Sequence, residues 1–246
     1  MQRTDVNVTT PEGLCPAILI TPDGDGPFAP VILFTDAGGV RPAMVEMAEQ
    51  LAAMGYAAFL PEMFYRDAPY EPFDLATVFG DPDERGRLMA MMGKVTIEAA
   101  RSDIGAFVDF LVTAPSVDAD RIGTTGYCMG GRLSLTAASS HPDHVAAAAS
   151  FHGGYLVTDA PDSPHLAVGS IAAEVYVGAA EQDGSFTDEH GAILDAALTD
   201  AGVDHTVEFY PALHGFAVPD NLTYDAVAAA RHWDALESLY AANLTA

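Results

Sequence analysis

The sequence predicts an α/β fold: one mostly parallel sheet covered by helices on both faces, with an antiparallel hairpin at its amino-terminal edge. Three observations predict it. Short apolar runs of strand length alternate with stretches of helical apolar spacing to the end of the chain. Half of the residues are hydrophobic, with 22 Gly and 16 Pro recurring as punctuation, the composition of a packed core without a long disordered tail. The length, 246 residues, suits one large α/β domain spanning 1–246.

The elements follow in order. Val6, Val8 and 17–20, separated by Pro11 to Gly13, read as the edge hairpin. A buried strand over 31–35 ends at Asp36-Ala37-Gly38-Gly39 and leads to a helix over 43–54, stopped by Gly55. A second strand over 56–60 stops at Pro61, and a Pro-rich irregular excursion over 62–82 precedes a helix around 94–112. A third strand, 121–127, runs into Cys128. The breaker-free stretch 132–139 suits a helix that begins at Cys128 and ends near Pro142. Further strands are expected at 145–151, 173–177 and 205–209, with helices at 188–201 and 225–240.

Charge narrows the function classes. With 35 acidic residues against 10 basic ones and Lys94 as the sole lysine, the chain would repel phosphate backbones and anionic membranes, so neither nucleic acid nor membrane is an expected partner. The acids are scattered, which reads as a solvated surface. The segment Met1-Gln2-Arg3-Thr4-Asp5-Val6 lacks the pattern of a signal peptide, and no stretch is long enough to cross a bilayer, so a cytoplasmic protein is expected, as a monomer or small homo-oligomer. Cys15 and Cys128 are then expected as free thiols.

The chemistry centres on Gly126-Tyr127-Cys128-Met129-Gly130. A strand that turns abruptly into a helix needs glycines two residues before and after the reactive side chain, because a Cβ there would clash. A thiol at a helix amino terminus has its thiolate favoured by the helix dipole and free N–H groups. The strand before and the helix after make this a nucleophile elbow of the α/β-hydrolase fold, where the chain order is nucleophile, acid, histidine. Asp183 follows the strand over 173–177 and His214 follows the strand over 205–209, both at carboxyl ends where catalytic groups gather. Glu181 and Asp188 compete with Asp183 for the acid's place. Two N–H donors for an oxyanion would come from Met129 and Ala37, unless Gly38 and Gly39 form a plain helix-entry turn. The other histidines, at 141, 144, 152, 165, 190, 205 and 232, read mostly as surface residues. The spacing of His141 and His144 is broken by Pro142, so no metal is expected.

These residues resemble the dienelactone hydrolase family, a branch of the α/β-hydrolases with cysteine inside G-Y-C-x-G-G, here Gly126-Tyr127-Cys128-Met129-Gly130-Gly131. The similarity extends over the edge hairpin, Thr35-Asp36-Ala37-Gly38-Gly39-Val40, Gly55-Tyr56-Ala57 leading to Pro61, the loop ending at Asp183, and Tyr210-Pro211 before His214-Gly215-Phe216-Ala217. The resemblance implies hydrolysis of a lactone or small ester through a covalent thioester, without a cofactor. It implies a nucleophile-activating glutamate at the position of Asp36, where this chain has a side chain one methylene shorter. It implies arginines that hold a substrate carboxylate: Arg87, or else Arg85, matches the first, both with an equally good surface reading, and Val218 stands where the second would be. Tyr127 and Phe216 are further candidates for the substrate's surroundings. The alternative is a non-hydrolytic thiol sensor of oxidants or electrophiles on the same fold.

Overall fold

The structure is a computed structural model that describes residues 1–244. Its strands are β1 (Gln2–Thr10), β2 (Gly13–Thr21), β3 (Pro30–Phe34), β4 (Ala57–Pro61), β5 (Ile122–Tyr127), β6 (Val145–Phe151), β7 (Glu174–Gln182) and β8 (His205–Leu213). They form one sheet in the order β1-β2-β4-β3-β5-β6-β7-β8. The β1/β2 and β2/β4 pairs are antiparallel and the others parallel, so the predicted edge hairpin is present. The helices are α1 (Pro42–Ala53), α2 (Pro82–Met92), α3 (Ile97–Thr113), α4 (Met129–Ser140), α5 (Asp188–Ala201) and α6 (Ala226–Asn243).

Side-chain alternation divides the core into layers. In β3, Val31 and Leu33 pack with Met44, Leu51, Leu236 and Tyr240 on the α1 and α6 side. Ile32 and Phe34 pack with Ile104, Phe107, Leu111 and Leu133 on the α3 and α4 side. Leu194 and Leu198 of α5 meet Val175 and Val177 of β7 in a third cluster on that second side. With both faces covered, β3 is buried along its whole length, which is why its sequence is a continuous apolar run.

Three boundaries depart from the sequence reading. The stretch 82–92, which falls between the irregular excursion ending at 82 and the helix expected around 94–112, is α2. Asp81 caps it by accepting from the N–H groups of Asp83 and Glu84, and Pro82 takes the first helical position. Strand β7 runs on to Gln182 and β8 to Leu213, so residues assigned to loops remain paired: Ala180 with Tyr210 and, past an irregularity, Gln182 with Leu213. Pro211 is tolerated because β8 is an edge strand. Of the histidines other than His214, His152 and His232 depart from the surface reading, being fully buried, while the remaining five are half-buried at the surface.

The order β4-β3-β5 places successive parallel strands on opposite sides of β3, which creates a crevice at the carboxyl ends of β3 and β5. Residues 36–39 follow β3 and Cys128 follows β5 at this crevice, while Asp183 and His214 follow β7 and β8 at the same edge of the sheet.

Candidate active site

Cys128 joins β5 to α4 with φ 54° and ψ −112°, a positive φ that a non-glycine residue adopts only when its surroundings enforce it. Its neighbours do so by contact. A Cβ at Gly126 would lie 1.9 Å from the Gly130 oxygen, and one at Gly130 would lie 2.3 Å from the Phe34 oxygen. Strand and helix therefore approach until only hydrogen atoms fit between them. The backbone of Cys128 is anchored as well: its N–H donates to Phe151 (3.2 Å), and its carbonyl accepts from Gly131 (3.1 Å) and Gly154 (3.2 Å).

His214 and Asp183 are brought together from the ends of neighbouring strands. The imidazole Nδ1 lies 2.5 Å from Asp183 Oδ2. The other carboxylate oxygen accepts from the Ser185 N–H (2.8 Å) and hydroxyl (2.7 Å). The Thr223 hydroxyl donates to the His214 carbonyl (2.6 Å) and fixes the loop behind it. Burial opposes a charged His214, but the hydrogen bonds and charges of Asp183 and Cys128 outweigh it and push the imidazole up to about 10. Burial likewise opposes a charged Asp183, yet the His214 contact and the Ser185 donors hold its carboxyl below the ordinary value.

The thiol and the imidazole open onto two adjoining cavities. One, of about 500 Å³, is lined by Ala37, Phe79, Met89, Met92, Met129, Arg132 and Tyr155 besides Cys128, Asp183 and His214. The other, of about 260 Å³, adds Asp36, Leu75, Asn221 and Leu222. The N–H groups of Ala37 and Met129 make no hydrogen bond among the described residues. Donors left free in this way beside a nucleophile can receive a developing oxyanion.

Asp36 is engaged in shaping the loop that carries Ala37. Its Oδ1 accepts from Arg41 (2.6 Å) and from the Gly38 N–H (2.9 Å), while Oδ2 accepts from Arg41 (2.9 Å) and Asn221 (3.4 Å). Arg41 also binds Asp220 through two 2.7 Å hydrogen bonds, tying this loop to the segment after His214. Glu181 is exposed at the end of β7 and Asp188 opens α5, and the carboxylate bonded to His214 is that of Asp183.

Four candidate substrate contacts lie elsewhere. Arg87 pairs with Glu84 (2.7 Å), donates to the Glu71 carbonyl and stacks 3.8 Å above Phe73, outside both cavities. Arg85 is exposed on α2 and lines neither cavity. Tyr127 is fully buried, its hydroxyl 3.1 Å from His232 Nε2, because β5 alternation turns it beneath the sheet. Phe216 is buried against Tyr210, with ring centroids 4.8 Å apart. Val218 is buried in the apolar layer beside α1 and α6.

Sequence reasoning missed three neighbours of the site. Ser185 was hidden because a serine two residues after an aspartate is ordinary loop chemistry until the aspartate's role is known. Arg132 falls on the first turn of α4, where it reads as a surface residue. His152 is wholly buried, with its ring 5.1 Å from that of His214 and 5.2 Å from that of Phe216. Burial first, then the charges of His214 and His232, lower its pKa well below the ordinary value and hold it neutral.

The fold has counterparts among known proteins. The model of the dienelactone hydrolase family matches residues 15–244. A Synechocystis protein carrying the provisional name carboxymethylenebutenolidase is 28% identical over 235 residues, covering 92% of this chain and 91% of its own. The crystal structure of a promiscuous phosphotriesterase from metagenomic libraries, described as dienelactone hydrolase-like, superposes with a TM-score of 0.78 at 26% identity over 99% of both chains. A Klebsiella pneumoniae protein provisionally named dienelactone hydrolase gives a TM-score of 0.83 at 23% identity over 98% of both chains, a likeness of fold. The chain has the α/β-hydrolase fold, and it is a hydrolase that belongs to the dienelactone hydrolase family.

Proposed function

We propose that the protein hydrolyses a small carboxylic ester or lactone, with Cys128 as nucleophile, His214 as its proton partner and Asp183 as the acid that orients His214. The observation that carries this reading is the 2.5 Å contact between His214 Nδ1 and Asp183, with the imidazole's opposite side turned to the Cys128 thiol. The paired carboxylate fixes one tautomer and favours the imidazolium, so the thiol's proton resides on His214 and the sulfur attacks as thiolate.

The thiolate forms a bond to the ester carbonyl carbon, and the carbonyl oxygen becomes an oxyanion held by the Met129 and Ala37 N–H groups. The bond to the alcohol oxygen then breaks. His214 gives that oxygen its proton, the alcohol leaves, and the acyl group remains as a thioester on Cys128. Neutral His214 next takes a proton from water, whose oxygen attacks the thioester. The acid departs, and the thiolate and imidazolium are restored. In a lactone the alcohol remains tethered to the acyl group, and the product is a single hydroxy acid.

p-Nitrophenyl acetate tests the reading: turnover by the wild-type protein should fall at least about 10³-fold in Cys128→Ala. Turnover unaffected by that substitution would overturn it. Oxidation of Cys128 by mild peroxide without turnover of any small ester would instead support a thiol sensor.

A further inference from the structure

Two histidines are fully buried, and their surroundings treat them differently. His232 has both ring nitrogens engaged, Nδ1 with the Ala229 carbonyl (2.6 Å) and Nε2 with the Tyr127 hydroxyl (3.1 Å). His152, which directly follows β6, has neither Nδ1 nor Nε2 in a hydrogen bond among the described residues. Its backbone is unusual too, with φ 37° and its N–H donating to the Gly178 carbonyl (2.8 Å).

An imidazole enclosed in this way is costly. Burying its polar atoms without hydrogen bonds is unfavourable, and a phenylalanine would fill similar space without that cost. The positive φ adds strain of the kind that persists where the surroundings enforce it. Packing therefore does not account for histidine at 152, and the account lies with what the ring faces. Its ring neighbours are Phe216 and Tyr127, with centroids 5.2 Å and 6.0 Å away, and His214, 5.1 Å away with the planes at 64°. The ionisable groups around it are Tyr127 from β5, Asp183 after β7, His214 after β8 and His232 from α6, with Cys128 on the other side of His214.

Burial, and then the charges of His214 and His232, keep the His152 ring neutral. In either tautomer a neutral imidazole carries one N–H and one lone pair. A lone pair committed to no donor places negative partial charge beside a ring that is positive in the thiolate–imidazolium pair, and the low dielectric of the interior strengthens that attraction. We propose that His152 is a positioning residue for His214: the uncommitted lone pair of its neutral ring stabilises the His214 imidazolium and so maintains the thiolate on Cys128. The inference rests on the proposed function for His214 as the proton partner of Cys128. Asp183 holds the imidazolium through a hydrogen bond, whereas His152 acts on it from a neighbouring ring without one. A charged His152 would repel the group it supports.

Nitrogen NMR of protein labelled in its histidine rings reads both residues and needs no ester turnover. In the wild-type protein His214 should lose its proton at about pH 10. His152→Phe keeps an aromatic ring but removes both nitrogens. The His214 midpoint should then fall by roughly half a pH unit or more, a fraction of the ~1–3 units that a full neighbouring charge produces. His152→Gln returns a neutral acceptor to the same place and should restore part of the difference. A ring that only filled space would leave the midpoint where it was. A midpoint unchanged in His152→Phe, or no higher in His152→Gln than in His152→Phe, overturns the proposal. Should the variants not fold, the wild-type titration decides. The His152 ring nitrogens should shift as His214 loses its proton, while His152 itself stays uncharged. Nitrogens that do not respond to that step, or a His152 that is charged while His214 is charged, overturn the proposal. Absence of Cys128-dependent ester turnover would sink the proposed function without altering this readout.

Discussion

Asp183 divides its carboxylate between two neighbours, His214 on one oxygen and Ser185 on the other, and this division sets the protonation of the site. His214 is raised to about 10, so the energy of its pairing is fully present below the ordinary histidine value near 6.5 and is lost as pH rises through about 10. Asp183 is lowered, so its contribution is present above the ordinary carboxyl value and is lost in acid. Replacing Asp183 with Asn removes the charge, keeps the shape and permits the wrong tautomer. The expected outcome is a fall in kcat of roughly 10³–10⁴-fold. The alkaline limb of the kcat/KM profile on an alkyl ester, where His214 must protonate a poor leaving group, should move from about 10 toward neutrality. A pH series on both proteins checks this. The positions of Cys128, Asp183 and His214 at strand ends were legible in the sequence because each directly follows an apolar run of strand length. Arg132 and His152 were not, because what distinguishes them is a missing partner, and pairing exists only in three dimensions.

At the scale of elements, the turn after β3 and the turn after β5 are built in opposite ways. Close backbone approach enforces the second, through Gly126 and Gly130, and glycine spacing made it readable. A buried ion pair holds the first: Arg41 grips both oxygens of Asp36 and reaches across to Asp220. Arg41 and Asp36 are five residues apart, which could not be read as a clamp, and the family resemblance left open whether the shorter Asp36 reaches the thiol or only shapes the loop. Removing one partner of a buried pair leaves the other charge uncompensated. Arg41→Met should therefore lower stability by about 3–5 kcal/mol in urea unfolding. It should also slow ester turnover, because the Ala37 N–H loses its support. The hidden extent of β7 and β8 has a similar origin, since ladder hydrogen bonds between strands carried pairing past residues that locally favour turns.

Over the whole molecule, a strongly acidic chain surrounds a reaction centre that gathers an imidazolium, two free N–H donors and one unpaired guanidinium. Every one of these favours negative charge within the cavity. The sheet makes this possible by delivering residues 36–39, 128, 183 and 214 to one edge from four separate strands. The sequence displayed that plan through its alternating elements, while the cavity's contents emerged only with packing. The central claim is that Cys128 carries the acyl group between the two halves of the reaction. Acid quenching during turnover of p-nitrophenyl acetate, followed by peptide mass analysis, tests it most directly. The predicted result is an acetyl group on the peptide containing Cys128, removed by neutral hydroxylamine as a thioester is. Steady turnover with no acyl group on that peptide, or with one on another residue, would contradict the account.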